Sequence, residues 1–209
     1  MKDLLVSIIT VSYNSKNTIK ETINSVLDQT YQHIEYIIIY GASLDTTNDI
    51  INSFVDKISI HISEPDQGIY EAMNKGIKVA SGDIVGILNA DDVFYDNSIV
   101  EKVVCEFNNK EINAVYGDVQ FFNPENPNKI VRYYSSKRFS PAKFKFGIMP
   151  AHPGIYLKRE LFKKYGYYKT DYQIAADFEL LLRFIYKNNI KYQYLEYPFV
   201  SMRPGGVSN

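Results

Sequence analysis

Two adjacent carboxylates, Asp91 and Asp92, follow the apolar run 84–88 in a turn that reads Asn89-Ala90-Asp91-Asp92. Ionised carboxylates at the edge of a core are costly unless something compensates their charge. A magnesium or manganese ion does this with few carboxylates, completing its shell from phosphate and water oxygens. A diphosphate leaving group would therefore complete such a site, and the cation would neutralise charge as that group departs. The same pair also reads as a solvated turn that caps the next helix. Asp177 falls near the start of a helical pattern, where the positive end of the dipole favours an ionised carboxylate. On spacing alone it reads as a cap or an exposed charge. His152, beside Pro153, reads either as a group touching a ligand or phosphate, or as a side chain that stabilises its loop.

These residues need a scaffold, and the hydrophobic pattern supplies one. Residues 4–11 are apolar except for Ser7 and Thr10, with no small-residue cleavage site, so they fit a buried first strand better than a signal peptide. A helix follows, with Ile19, Ile23, Val26 and Leu27 on one face and a Thr18-x-x-Glu21 capping box. Residues 34–39 and 58–62 read as strands around a helix at 45–55 capped by Asp45. Helix 68–80 carries Ile69, Ala72, Met73, Gly76, Ile77 and Ala80 at the 3.6-residue period and stops at Ser81-Gly82. Residues 84–88 form a fourth buried strand. This alternation predicts an α/β fold with a mainly parallel sheet flanked by helices. Ligands of such sheets collect outside the carboxyl ends of the strands, which is where the acidic turn falls. After a helix at 98–107 the pattern changes to short strands at 115–118, 119–122 and 130–134, with a turn at 124–128. Residues 135–153 lack a period, and a last helix holds Ile174, Phe178, Leu181, Leu182 and Ile185.

The 209 residues are 45% apolar, enough for one domain with a real core. A formal net charge of −1 argues against nucleic acid as the main partner. The single cysteine, Cys105, excludes an internal disulfide, and His33, His61 and His152 lack zinc-ligand spacing. No run of roughly 18 apolar residues occurs, so a cytoplasmic protein is expected. Lys137, Arg138, Lys143 and Lys145 lie among aromatics in a stretch that reads either as a solvated loop or as a peripheral contact for a membrane or a lipid diphosphate.

Residues 6–14 (VSIITVSYN), 37–47 (IIIYGASLDTT), 63–77 (SEPDQGIYEAMNKGI) and 82–92 (GDIVGILNADD) occur in order at βα spacings. Tyr116-Gly117-Asp118, residues 149–153 (MPAHP) and residues 174–183 (IAADFELLLR) follow in the second half. Together they resemble family 2 glycosyltransferases of the GT-A fold, and are most similar to bacterial transferases that assemble O-antigens and other surface polysaccharides. The resemblance covers nearly the whole chain. It implies one domain over 1–209, with a nucleotide-sugar half at about 1–92 and a half bearing a smaller acceptor-side sheet at about 93–209. It also implies a nucleotide-sugar donor, expected to be UDP-linked, a glycan or lipid-linked acceptor, and a divalent cofactor, Mn2+ or Mg2+. Thr10, Ser12, Tyr13 and Asn14 fall where the family holds the nucleoside, with Asp66 and Asn74 in segments lining the same pocket. Asn89, Ala90 and Asp91 occupy the DxD position, with Asp91 and Asp92 as metal candidates. Asp177 takes the position of the base that removes the acceptor's proton, and His152 lies on the acceptor side. The implied reaction is a single displacement that inverts the sugar carbon.

Two departures stand out. Asn89 replaces the leading aspartate of DxD, and Tyr40 replaces the aspartate that relatives place at the end of the second strand to accept a bond from the base. Tyr40 could stack on the base and relax its selectivity, turn outward, or impair donor binding. A sugar nucleotidyltransferase is a competing reading, but residues 10–16 lack the glycine-rich phosphate loop it needs. A catalytically impaired binding protein of the same fold is another. Gly205 and Gly206 in the terminal residues 201–209 suggest a segment that orders over bound donor.

Overall fold

Val6–Ser12 (β1) is buried along its whole length, because Ile, Val and small polar residues fill both of its faces. The structure is a computed structural model describing residues 4–205. Ile34–Tyr40 (β2) and Ile84–Ile87 (β4) pair with β1 in parallel on its two sides, and Ile60–Ser63 (β3) pairs with β2. The order β3-β2-β1-β4 means that the chain runs outward from β1 and then returns to its other side. The crevice between the carboxyl ends of β1 and β4 is thus the point where strand order reverses, the usual ligand position in such sheets.

Helices cover both faces of these strands. Ile69–Val79 (α3) sets Ala72, Met73 and Ile77 against Ile9, Ile37 and Ile39. Ile19–Leu27 (α1) and Ile99–Phe107 (α4) bury Ile19, Ile23, Val26, Val100 and Val103 against Ile8, Ile38 and Tyr36 on the other face. Thr47–Asn52 (α2) adds Ile51. The expected caps form differently. Thr18 makes no side-chain cap bond, and its hydroxyl donates instead to the Ser15 carbonyl. The Asp45 carboxylate accepts from the Thr47 and Lys16 amides, two residues ahead of a helix shorter than the pattern suggested.

The strands of the second half run on from β4 as one continuous sheet. Ile155–Lys158 (β8) pairs antiparallel with β4 and with Ala114–Asn123 (β6). β6 pairs in parallel with Tyr192–Met202 (β9), and Asn126–Tyr134 (β7) pairs antiparallel with β6. Val93–Phe94 (β5), directly after the acidic turn, closes the far edge against β9. The two strands expected at 115–118 and 119–122 are one, because β6 passes Gly117 through a register shift without breaking. β5, β8, β9 and the helix Glu160–Tyr165 (α5) escaped the sequence pattern. The last helix begins only at Ala176 (α6, Ala176–Leu181), after Ala175 in a left-handed conformation, and continues as π-helix over Leu182–Lys187. Ile174 therefore lies outside it, exposed. In the terminal segment Ser201 and Met202 belong to β9. Gly206 to Asn209 lie outside the described residues. Among the described residues no helix is long and apolar enough to cross a membrane.

Gly117 marks the tightest approach of β6 and β9. A Cβ there would stand 2.4 Å from the Phe199 ring and 2.6 Å from the Tyr197 carbonyl oxygen. Phe199 is fully buried and the carbonyl belongs to the strand, so neither can yield cheaply. Gly117→Ala is expected to destabilise the protein by about 1–3 kcal/mol, read as a lower urea midpoint with an unchanged slope.

Candidate functional site

The first wall of the crevice forms where β1, β2 and β3 end. Asn14 takes a left-handed backbone (φ 49°) and its amide donates to Ser43 Oγ at 3.1 Å, turning the chain away from the sheet. Tyr13, just before it, leaves 66% of its surface open. Gly41 lacks the Cβ that would stand 2.7 Å from Asp66 Oδ2 and 3.2 Å from the Tyr13 ring. Tyr13 and Asp66 thus close on one backbone point. Asp66 Oδ1 accepts from the Gly68 amide at 3.0 Å at the start of α3. Ser12 Oγ is buried beside this wall and has no hydrogen-bond partner among the described residues.

The second wall is the acidic turn after β4. The Ala90 amide donates to the Val11 carbonyl, tying the turn to the end of β1. Asp92 is buried, its carboxyl accepting from Asn89 Nδ2 at 3.2 Å and from the Arg203 backbone amide. Burial pushes that carboxyl well above the ordinary carboxylate range and the Asp91 charge pushes it further, against the donors from Asn89 and Arg203. Asp91 is half-buried at the turn's surface. Asn89 Oδ1 is buried and has no partner among the described residues. Among the described residues no three His, Cys, Asp or Glu side chains converge to hold a metal by themselves. A hard cation that takes one or two carboxylates and draws its other ligands from phosphate and water suits this set. Arg203, which no pattern flagged, pairs with Glu21 and lies 5.0 Å from the Phe122 ring centroid.

The third group surrounds Asp177. Its Oδ1 accepts from the Phe178 amide at 2.8 Å and faces the Tyr70 hydroxyl at 3.4 Å. The Tyr70 ring stacks on Tyr168 with centroids 5.8 Å apart, and the Tyr168 hydroxyl meets His152 Nε2 at 2.6 Å. Burial holds His152 below its ordinary pKa, with the Asp177 charge opposing the shift, so the ring is neutral near pH 7. Burial, then the Asp177 charge, push the Tyr168 hydroxyl well up. Tyr70 lies four residues beyond Asp66, so the start of α3 links the first wall to Asp177.

Comparison with known proteins settles the kinship. The profile described as glycosyl transferase family 2 matches residues 7–166. The chain belongs to this glycosyltransferase family. An uncharacterized glycosyltransferase of Mycobacterium tuberculosis (strain ATCC 25618 / H37Rv) is 34% identical over 182 residues, 85% of this chain and 68% of that protein. A PGL/p-HBAD biosynthesis glycosyltransferase of Mycobacterium bovis (strain BCG / Pasteur 1173P2) is 29% identical over 97% of this chain and 78% of its own length. Among solved structures, S. aureus TarS superposes with a TM-score of 0.80 at 17% identity, covering 96% of this chain and 37% of that one. The mannosyltransferase PcManGT from Pyrobaculum calidifontis, solved with GDP-Man and Mn2+, superposes at 0.70 and 19% identity, covering 96% and 56%. The chain thus spans only about a third to a half of those two solved chains.

Within this glycosyltransferase fold, the residues named from sequence divide. Ser12, Tyr13, Asn14, Asp66, Asn89, Ala90, Asp91 and Asp92 gather around the crevice, and His152 gathers with Asp177. Three side chains have other tasks. Thr10 is fully buried, its hydroxyl 3.2 Å from that of Tyr36. Tyr40 points into the core and its hydroxyl donates to the Ser43 carbonyl at 2.6 Å, so its ring does not face a base. Asn74 uses both ends of its amide on the Tyr168 backbone, at 2.8 and 3.0 Å, clamping α3 to that segment. Tyr70, Tyr168 and Gly41 were missed. Tyr70 and Gly41 lay within quoted motifs, but no spacing rule connects Tyr70 to Asp177, 107 residues away.

Asn74→Ala should leave the Tyr168 amide and carbonyl buried without partners and lower stability by about 1–3 kcal/mol, measurable by denaturant unfolding. A second expectation concerns pH. An unfolded histidine protonates near 6.5, whereas buried His152 resists its proton until lower pH. Its contribution is therefore full above about pH 6.5 and is lost as pH falls through the folded value. The thermal midpoint should drop less steeply between about pH 7 and 5 in His152→Asn than in the wild type.

Proposed function

We propose that the chain transfers a sugar from a UDP-linked donor to a glycan or lipid-linked acceptor by one inverting displacement. The observation that carries this reading is the placement of Asp177. Its carboxylate is held by Tyr70 at the start of α3, and Asp66, four residues before Tyr70, closes the crevice with Tyr13 and Gly41. One short segment thus joins the wall formed by Tyr13, Gly41 and Asp66 to the candidate base.

In this reading the exposed Tyr13 ring and the Asp66 carboxylate take the base of the nucleotide. Asp66 stands against Gly41, so it restores a carboxylate where Tyr40 has turned into the core. Asn89 and the Ala90 carbonyl face the ribose, and Asp91 holds a divalent cation together with the diphosphate, Asp92 supporting it from inside. Such a cation supplies Lewis-acid neutralisation of the departing diphosphate. Asp177 takes the proton of the acceptor hydroxyl as that oxygen bonds to the anomeric carbon. The bond to the diphosphate breaks on the opposite side and its electrons leave with the diphosphate, so configuration inverts. His152, neutral and bonded to Tyr168, keeps the Tyr168–Tyr70 stack in place behind Asp177. TarS has been solved with UDP and with UDP-GlcNAc, which supports a uridine donor, and PcManGT with GDP-Man and Mn2+, which supports the cation.

Incubation with labelled nucleotide sugars, manganese and candidate acceptors tests the activity. Asp177→Asn should lower turnover on the order of 10² to 10⁴-fold while calorimetry shows UDP affinity near that of the wild type. Asp91→Ala should abolish manganese-dependent transfer without changing the circular dichroism spectrum. Near-normal turnover in Asp177→Asn rules out that residue as the base.

A further inference from the structure

No Asp or Glu occurs between Glu125 and Glu160, although the whole chain carries a formal net charge of −1. Arg138, Lys143 and Lys145 fall in this stretch, and among the described residues no ion pair engages them. Lys137 is discounted, since it pairs with Glu196 at 2.7 Å. The cations stand beside apolar surface that the fold leaves uncovered. The helical turn Pro141–Phe146 ends at Gly147 in a left-handed conformation (φ 73°), and the residues flanking that glycine, Phe146 and Ile148, are 70% and 43% exposed. Lys145 Nζ lies 4.9 Å from the Phe146 ring centroid, so charge and ring share one site. Next to them a groove of about 340 Å³ is lined by Ala142, Phe144, Lys145, Leu182 and Tyr186. Its inner wall, Phe144, meets Phe178 edge-on with centroids 5.5 Å apart, and Phe178 directly follows Asp177.

Single exposed apolar residues need no explanation, but here they coincide with unpaired cations, an acid-free sequence and a groove. We propose that this face docks on an anionic phospholipid bilayer. Phe146 and Ile148 enter the boundary between headgroups and acyl chains, Arg138, Lys143 and Lys145 meet lipid phosphates, and the groove takes an aliphatic chain. Basic side chains beside apolar ones are the pattern that binds such a boundary, since each supplies what the other cannot. An acidic soluble partner would satisfy the cations and leave Phe146 and Ile148 in water. The docking itself does not depend on the transfer reaction. Only its consequence does: docking would hold a lipid-borne acceptor at a face whose groove wall, Phe144, packs on the residue that follows Asp177.

The test is cosedimentation of the intact protein with phosphatidylcholine vesicles, with and without about one-third phosphatidylglycerol. Binding is expected with the anionic vesicles only, and should weaken as salt is raised. Lys143→Glu/Lys145→Glu should weaken it on the order of tenfold or more, and Phe146→Ser/Ile148→Ser should weaken it while keeping the salt dependence. Lys57→Glu/Lys110→Glu, the same charge change elsewhere on the surface, should bind as the wild type does. Equal losses in the two charge-reversed proteins, or a wild type indifferent to phosphatidylglycerol, would overturn the proposal. Should a variant lose its native circular dichroism spectrum, the wild type's dependence on lipid charge and salt decides alone. Asp177→Asn should bind vesicles normally, so failure of the transfer reading and failure of docking remain distinguishable.

Discussion

A parallel strand covered on both faces has nowhere to present a polar side chain except at its ends, and this constraint organises the whole site. β1 is buried from Val6 to Ser12 and β2 from Tyr36 to Tyr40. Hydroxyls along them turn to internal partners, as Thr10 does with Tyr36 and Tyr40 with Ser43, whereas Ser12 at the very end of β1 has none among the described residues. Chemistry is thereby displaced to the first residues past each strand: Tyr13 and Asn14 after β1, Gly41 after β2, Asp66 after β3 and the Asn89–Asp92 turn after β4. Because strand order reverses between β1 and β4, no crossover helix blocks that gap.

The second half is held to this frame by strand insertion and by buried polar bonds. β8 joins β4 to β6, so one set of ladder bonds crosses the chain's midpoint. Asn74 then ties α3 to Tyr168, and Asp118 gathers Tyr133, Tyr194 and the Ser136 amide around one buried carboxylate. Each such bond stabilises by only about 1 kcal/mol, but breaking one leaves a buried group without a partner, at about 1–3 kcal/mol. The cluster around Asp177 consequently rests on residues whose own role is structural.

The first half was legible in the sequence because period and topology agree there. Buried strands read as unbroken apolar runs, α3 as a 3.6-residue repeat, and their alternation dictates parallel pairing. The second half resists that reading for local reasons. β8 is four residues long, and β9 contains Pro198, tolerated because it sits opposite the irregular step between Tyr116 and Asp118. Without β9 in view, Arg203 had no place, and its contact with Asp92 could not be foreseen. At the site, residue type identified the carboxylates that gather, but not which side of a strand each hydroxyl or amide faces. Thr10, Tyr40 and Asn74 carry motif positions while their side chains face inward.

The substitution at position 89 follows from the same electrostatics. Asp92 is already pushed toward its neutral form by burial and by Asp91. A third carboxylate at position 89 would add repulsion at a point where water cannot screen it. Asparagine reverses the sign of one contact: its amide nitrogen donates to Asp92, while its buried oxygen has no partner among the described residues. The turn thereby gives up one charge and gains an internal support for Asp92. Asp91 is left as the half-buried carboxylate of the turn.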